Sequence, residues 1–463
     1  MSLVAGSAQV EITPPPGVAL MGYGARQGNA TAVHDPLFAR ALFLDSGGAD
    51  HSLLLISADL CLIAPEQALQ IRARVAAETR LAPTQIAVAC THTHSGPDTG
   101  VFARSAGKPE PPHVTDLFAR LVEAGVRAAA NAAPATLRLE RAEARIGRNR
   151  RLADGPLDPE IAILAVDHAD GRPLAVVFQH ACHGTVLGHD NLEVSADWAG
   201  YACGRLGRET GACAIFVLGA HADIDPRTRG LMDLAIPGQS IGLDFEAARV
   251  LGEEVAEAVL GALSADRAGE REVRCAAAST PLELPLHLGD PDSVAVRREL
   301  ASRKEWLASQ LGVSIADFPR LSQLGARAWA RARELPLSEA RRLHERVRLY
   351  LRDRTARFFV GGAHVATVEV QVLQMGGALF LGLPLEPTTE VGLDWKRRMA
   401  DRAELSGVIG IANGWLRYLP HALDLQHPRA NQHYEVLESI LAPGACERLL
   451  DQGERLVDGL LAS

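Results

Sequence analysis

The stretch Ile86–Asp98, IAVACTHTHSGPD, is an apolar run that ends in two histidines and a Ser-Gly-Pro turn. Its first five residues read as a strand buried on both faces. His92 and His94 follow at i, i+2, so an extended backbone points both to the same side. In α/β proteins, chemistry gathers beyond the carboxyl ends of strands. Neutral imidazole is a common metal ligand and a proton acceptor near neutral pH. A single HxH pair is as compatible with chance as with a metal site.

The same arrangement recurs. Leu174–Gln179 runs into His180-Ala181-Cys182-His183-Gly184-Thr185, and Ala378–Leu381 into Gly382-Leu383-Pro384-Leu385-Glu386-Pro387. Val408–Ala412 runs into Asn413-Gly414-Trp415-Leu416-Arg417-Tyr418. Ligand-type side chains thus follow four separate apolar strands, which is the placement a site requires. Two histidines, a glutamate and one further oxygen donor suit Zn²⁺. His180 falls inside the strand pattern and reads as structural.

Further strands are expected at Leu53–Ala58, Ile161–Val166, Ala214–Leu218 and Val365–Val372. Helical patterns lie between them at Pro65–Thr79, His113–Ala133, Trp198–Glu209, Asp244–Leu263 and Glu390–Ala403. The alternation predicts an α/β fold of mixed sheets flanked by helices, as one domain over residues 1–463. From Pro291 to Arg357 strands vanish and Arg-rich helical patterns take over, as in Val294–Gln310 and Ser338–Arg352. This predicts a helical insertion over 291–357, either a lid over the site or a packing or oligomer-contact module.

Composition narrows the class. The 463 residues are 47% apolar, enough for a large core, and the formal charge is −9. No Lys/Arg run forms a basic stripe, which argues against nucleic acid as a partner. No apolar stretch reaches the length of a membrane span, so no integral membrane association is expected. The opening MSLVAGSAQVEITPPPG lacks the charged and apolar regions of a secretory signal. Seven cysteines, odd in number and without a CxxC pair, read as free thiols in a reducing compartment. A cytoplasmic location is the expectation, and a cysteine zinc knuckle is excluded.

THTHSGP, followed by His183-Gly184-Thr185 and by Asp197-Trp198-Ala199-Gly200-Tyr201, resembles the catalytic domain of the neutral/alkaline non-lysosomal ceramidase family. Supporting pieces are Ile12-Thr13-Pro14, Gly22-Tyr23, His34-Asp35-Pro36-Leu37, Asn149-Arg150, the Pro384–Thr389 loop and Asn413–Tyr418. The resemblance spans nearly the whole chain outside the insertion. It implies a ceramidase-like fold and one zinc per chain, held by His92, His183, Glu386 and Tyr418. It implies His94 as a proton-transfer or polarising group, and Arg150 as the contact to the substrate carbonyl or its oxyanion. Without the resemblance, Glu386 would read as a surface carboxylate and Tyr418 as a core aromatic.

One departure shapes the functional expectation. The family carries a serine before a proline in a loop that corresponds here to Gly219-Ala220-His221-Ala222-Asp223-Ile224-Asp225-Pro226, and Asp225 stands at that position. The family's C-terminal accessory domain and export signal have no counterpart in the sequence. The expectation is a zinc-dependent hydrolase, not a ceramidase proper, that cleaves an amide by direct attack of metal-activated water, with an ester or cyclic amide as variants. Asp225 could orient that water, take its proton, or bind a polar or cationic substrate group. His221-x-Asp223-x-Asp225 could hold a second metal; a loop satisfying its own backbone is the simpler reading for His221 and Asp223. The competing class is a non-catalytic metal-stabilised relative that binds a ligand or partner. A decayed site would shed ligands, and all four candidates remain beside His94 and Arg150. No amphipathic anchor is evident, so a small-molecule or N-acyl amide substrate is expected.

Overall fold

Leu53, Leu54, Leu55 and Ile56 are all fully buried, yet they serve two different cores. Leu54 and Ile56 pack toward one layer of helices, while Leu53 and Leu55 pack toward a second sheet. A strand between two apolar layers needs apolar side chains at every position, which is why these runs show no alternation. The structure, a computed structural model, describes residues 2–287 and 365–462 apart from short breaks, the longest at 230–243, and a few positions between 308 and 340. The helical insertion expected at 291–357, with its lid reading, lies almost wholly outside the described residues.

The large sheet has eight strands, in spatial order Cys213–Leu218, Pro173–His180, Glu160–His168, Ala133–Glu143, Val4–Glu11, Phe38–Asp45, Ser52–Ala58 and Ile86–Cys90. The second has four, in order Cys275–Pro285, Val365–Met375, Ala378–Gly382 and Leu405–Ile409. Both are mixed. The sheets stack face to face through Leu42, Leu55, Val177 and Val217 on one side and Leu373, Met375 and Phe380 on the other. Helices Pro65–Glu78, Val114–Ala130, Asp197–Thr210 and Phe245–Leu263 cover the outer face of the large sheet. Thr389–Met399 and Ala445–Ala462 cover the small one through Trp395, Leu449 and Val457. The layers therefore run helix, sheet, sheet, helix. Each fully buried Leu, Ile or Val adds roughly 1.5–3 kcal/mol relative to exposure.

Three parallel pairs decide where the site lies. Ser52–Ala58 pairs with Ile86–Cys90, Pro173–His180 with Cys213–Leu218, and Ala378–Gly382 with Leu405–Ile409. A helix lies between the two strands of each pair in sequence, as parallel pairing demands. The carboxyl ends of all three pairs deliver their loops to one region. Two readings are corrected in detail. Ala133 opens the strand Ala133–Glu143 instead of closing a helix, and the strand expected at Val408–Ala412 ends at Ile409, with Ile411 and Asn413 turning into left-handed backbone.

Candidate metal centre

Five non-glycine residues have positive φ among the described residues: His92, Asp197, Ile411, Asn413 and Arg417. Four lie in the loops beyond the strand ends, and Asp197 opens the helix Asp197–Thr210. Left-handed backbone costs an L-residue energy, and a β-branched one such as Ile411 most of all, so it persists only where surrounding contacts enforce it. Here the loops lace each other. His92 N–H donates to Leu60 O (2.9 Å), His94 N–H to Gly184 O (3.1 Å) and Asn413 N–H to Val88 O (2.7 Å). Glu386 N–H donates to Arg417 O (2.9 Å), and Glu386 pairs with Tyr418 in a two-residue parallel ladder.

Four buried side chains converge there: His92, His183, His221 and Glu386, with one ligand atom of each within 4.8 Å of the others. Glu386 Oε2 lies 3.5 Å from His92 Nε2, 3.6 Å from His183 Nε2 and 3.7 Å from His221 Nε2. The opposite edge of each ring faces a main-chain carbonyl. His92 Nδ1 donates to Cys61 O (2.8 Å), His183 Nδ1 to Ile224 O (3.0 Å) and His221 Nδ1 to Gly219 O (2.9 Å). A carbonyl only accepts, so Nδ1 carries a proton in each ring and Nε2 is the nitrogen a neutral ring would offer to a metal. Trp415 Nε1 donates to Glu386 Oε1 (2.7 Å), which leaves Oε2 without a hydrogen bond. Burial alone would raise the Glu386 carboxyl, but His92, His183 and His221 outweigh it and hold it well below the usual carboxylate range. Burial pushes His221 down to about 3. Four electron-pair donors facing one another in a dry pocket fit a divalent cation of the zinc type.

The remaining residues singled out in the sequence stand around this cluster. His94 Nε2 lies 3.1 Å from His92 Nε2, and Tyr23 packs edge-on against its ring. Burial, then His92 and His183, lower His94 well below its ordinary value, so its ring is neutral at pH 7. Gly22, at φ +111°, leaves room for this ring: a Cβ there would sit 2.4 Å from His94 Cγ. Arg150 Nε donates to Glu435 Oε1 (2.7 Å) and its Nη1 to Asp225 Oδ1 (3.4 Å), while Nη2 is buried without a partner. Asp225 Oδ1 also accepts from Thr185 Oγ1 (3.4 Å) and lies 3.9 Å from His183 Nδ1. Burial pushes Asp225 up, but Arg150 and Arg229 outweigh it and hold its carboxyl below the ordinary range. Tyr418 is buried, with its ring edge-on to Tyr434.

The structure thus brings together His92, His94, Arg150, His183, Asp225, Glu386 and Tyr418. It separates the three side chains of His221-x-Asp223-x-Asp225. His221 turns to Glu386 and Asp225 to Arg150. Asp223 is spent on the N–H and hydroxyl of Thr389 (2.7 and 3.0 Å), on Asn149 (2.7 Å) and on Arg151 (2.5 Å). The self-satisfied loop expected for His221 and Asp223 is corrected for Asp223, whose carboxylate reaches other segments, while His221 keeps one contact within its loop, to Gly219 O, and turns its other nitrogen to Glu386. Sequence reasoning also missed Trp415 and Glu435. The Asp197-x-x-Gly-Tyr motif has a plain role. Asp197 caps the loop at Val186 and Leu187, and Trp198 Nε1 donates to His183 O (2.9 Å).

Fold and site together define a helix-sheet-sheet-helix protein with a candidate metal pocket at the strand ends. Residues 3–214 match the model of the family "Neutral/alkaline non-lysosomal ceramidase, N-terminal", so the resemblance carried by THTHSGP stands. Two solved structures share the fold at 18% sequence identity. "Ceramidase complexed with C2" gives a TM-score of 0.70 over 100% of this chain and 76% of that one. The neutral ceramidase from Pseudomonas aeruginosa gives 0.68 over 99% and 74%. No curated protein matches the chain. Among the described residues, no helix is long and apolar enough to cross a membrane.

Proposed function

We propose that this protein is a zinc-dependent hydrolase that cleaves the amide bond of a small-molecule or N-acyl substrate, with esters and cyclic amides as neighbouring chemistries. The observation that carries the reading is the convergence of three imidazole lone pairs on one carboxylate oxygen in a buried pocket. A divalent cation at their centre would satisfy all four groups at once. His92, His183 and Glu386 would hold the ion, and Tyr418 and His221 stand beside them as candidates for a fourth donor. Zinc in that position acidifies water and polarises a carbonyl.

The chain's own groups divide the rest of the work. Arg150 Nη2, buried and unpartnered, is free to donate to the substrate's carbonyl oxygen as negative charge builds there. His94, neutral and beside His92, can accept a proton from the attacking water and then hand it to the leaving nitrogen. Asp225 holds Arg150 through Oδ1, which leaves Oδ2 to orient water or take its proton. A carboxylate is a poor nucleophile toward an amide, because the anhydride formed lies above the amide consumed. The test is metal analysis of the purified chain, with turnover of a panel of N-acyl amides before and after chelation. About one zinc per chain and chelator-sensitive hydrolysis are expected. His92→Ala and His183→Ala should lose both; full zinc occupancy in these variants would overturn the site.

A further inference from the structure

We infer that His221, not Tyr418, is the fourth protein ligand, which makes the centre a three-histidine, one-carboxylate site with Tyr418 outside it as a hydrogen-bond donor to the substrate. The inference rests on the metal-site reading above and goes beyond it, because THTHSGP and the motifs that accompany it gave no reason to choose His221.

Geometry makes the choice. Ligands arranged tetrahedrally about zinc at about 2.1 Å lie about 3.4 Å apart. His221 Nε2 is 3.7 Å from Glu386 Oε2, nearly the same as His92 (3.5 Å) and His183 (3.6 Å). Its ring centroid is 4.7 Å from that of His183 and 5.1 Å from that of His92, so three rings surround one point. Its Nε2 is buried and has no hydrogen-bond partner. The ring is also held. Gly219 O fixes Nδ1, and Gly410 presses on the other side, where a Cβ would lie 2.9 Å from His221 Cε1.

Both Glu386 oxygens are engaged without Tyr418, Oε1 by Trp415 and Oε2 by the three imidazoles. Four protein donors leave a zinc ion one further position when it expands to five, and that position is needed for water or substrate. A fifth protein donor would close it. Tyr418, next to Glu386 across the short ladder, is then left to meet the substrate and not the ion.

The experiment measures metal binding apart from turnover. Zinc affinity of the full chain is read by competition with a chromophoric chelator, and Co²⁺ loading by its visible absorption. His221→Ala should weaken zinc by at least about 100-fold, more than loss of an outer-sphere partner, and should change the Co²⁺ bands. Tyr418→Phe should keep affinity within about threefold and leave the bands unchanged while turnover falls. Zinc X-ray absorption on the wild-type chain should count three imidazoles, a result that needs no variant to fold. Two imidazoles, or Tyr418→Phe losing zinc while His221→Ala retains it, would overturn the inference but leave the hydrolase reading intact. Zinc retained in His92→Ala would instead sink the underlying metal site.

Discussion

At the scale of single residues, the surroundings of Asp225 make its role measurable. Asp225→Ala should cut turnover while zinc stays bound, because its carboxylate meets Arg150 and Thr185 and stands on the Nδ1 side of His183. Turnover in heavy-oxygen water should label the acid product and leave no labelled or acylated enzyme; a trapped acyl-enzyme would overturn direct hydrolysis. If Asp225→Ala keeps full rate but changes substrate preference, Asp225 is a recognition residue. The same carboxylate should show in stability. Its folded pKa lies below the ordinary 3.8, so its contribution is present in full above that value and is lost as pH falls through the folded one. Asp225→Asn should therefore destabilise the chain by roughly 1.5–3 kcal/mol near pH 6, the scale of a hydrogen bond to a charged group. The gap in Tm to wild type should close on acidification. A gap independent of pH would assign the loss to packing.

At the scale of elements, the loops matter more than the strands they extend. Gly22 seats His94, and alanine there meets both a left-handed backbone and the imidazole. Gly22→Ala should lower kcat by about 100-fold or more, the usual worth of a positioned proton-transfer group, with metal content unchanged. An unchanged kcat would remove His94 from the reaction. What the sequence disclosed follows the same division. Leu53–Ala58 and Ile86–Cys90 were legible because burial on both faces makes them uniformly apolar. Val4–Glu11, VAGSAQVE, was not, since its small and polar residues show neither run nor clean alternation. Cys275–Pro285 hides likewise behind threonine, glutamate and two prolines. His221 was within reach. It follows its strand by three residues, as His183 follows its own, but flanking aspartates made the segment look like a turn. Trp415 and Glu435 carried no local signal, because a buried indole or carboxylate becomes functional only through distant partners.

At the scale of the molecule, the centre is divided between the two sheets. His92, His183 and His221 follow strands of the large sheet, and Glu386 follows a strand of the small one. Metal binding should therefore clamp the sheets together. A ligand at one hundred times its Kd adds about 2.7 kcal/mol to stability, so chelation should lower Tm by several degrees. The contact between sheets should in turn govern affinity. Leu373→Ala, in the inter-sheet core, and Leu449→Ala, on the outer face of the small sheet, should each cost about 2–5 kcal/mol. Only Leu373→Ala should also weaken zinc in chelator competition. Equal affinities in the two variants would show that the sheets hold their spacing without that contact.

The three imidazoles take their orientation from main-chain carbonyls at Cys61, Ile224 and Gly219, not from other side chains. A point substitution can delete a side-chain partner, but it cannot delete a carbonyl. The orientation of the three rings is therefore robust to substitution of their neighbours, while Arg150 and Asp225 around them are held by side-chain contacts that a substitution can remove. Such a scaffold can change the rim of the pocket one residue at a time without first disturbing the three rings. Asp225, whose contacts to Arg150 and Thr185 are side chain to side chain, is a position at which such a change leaves the three rings in place.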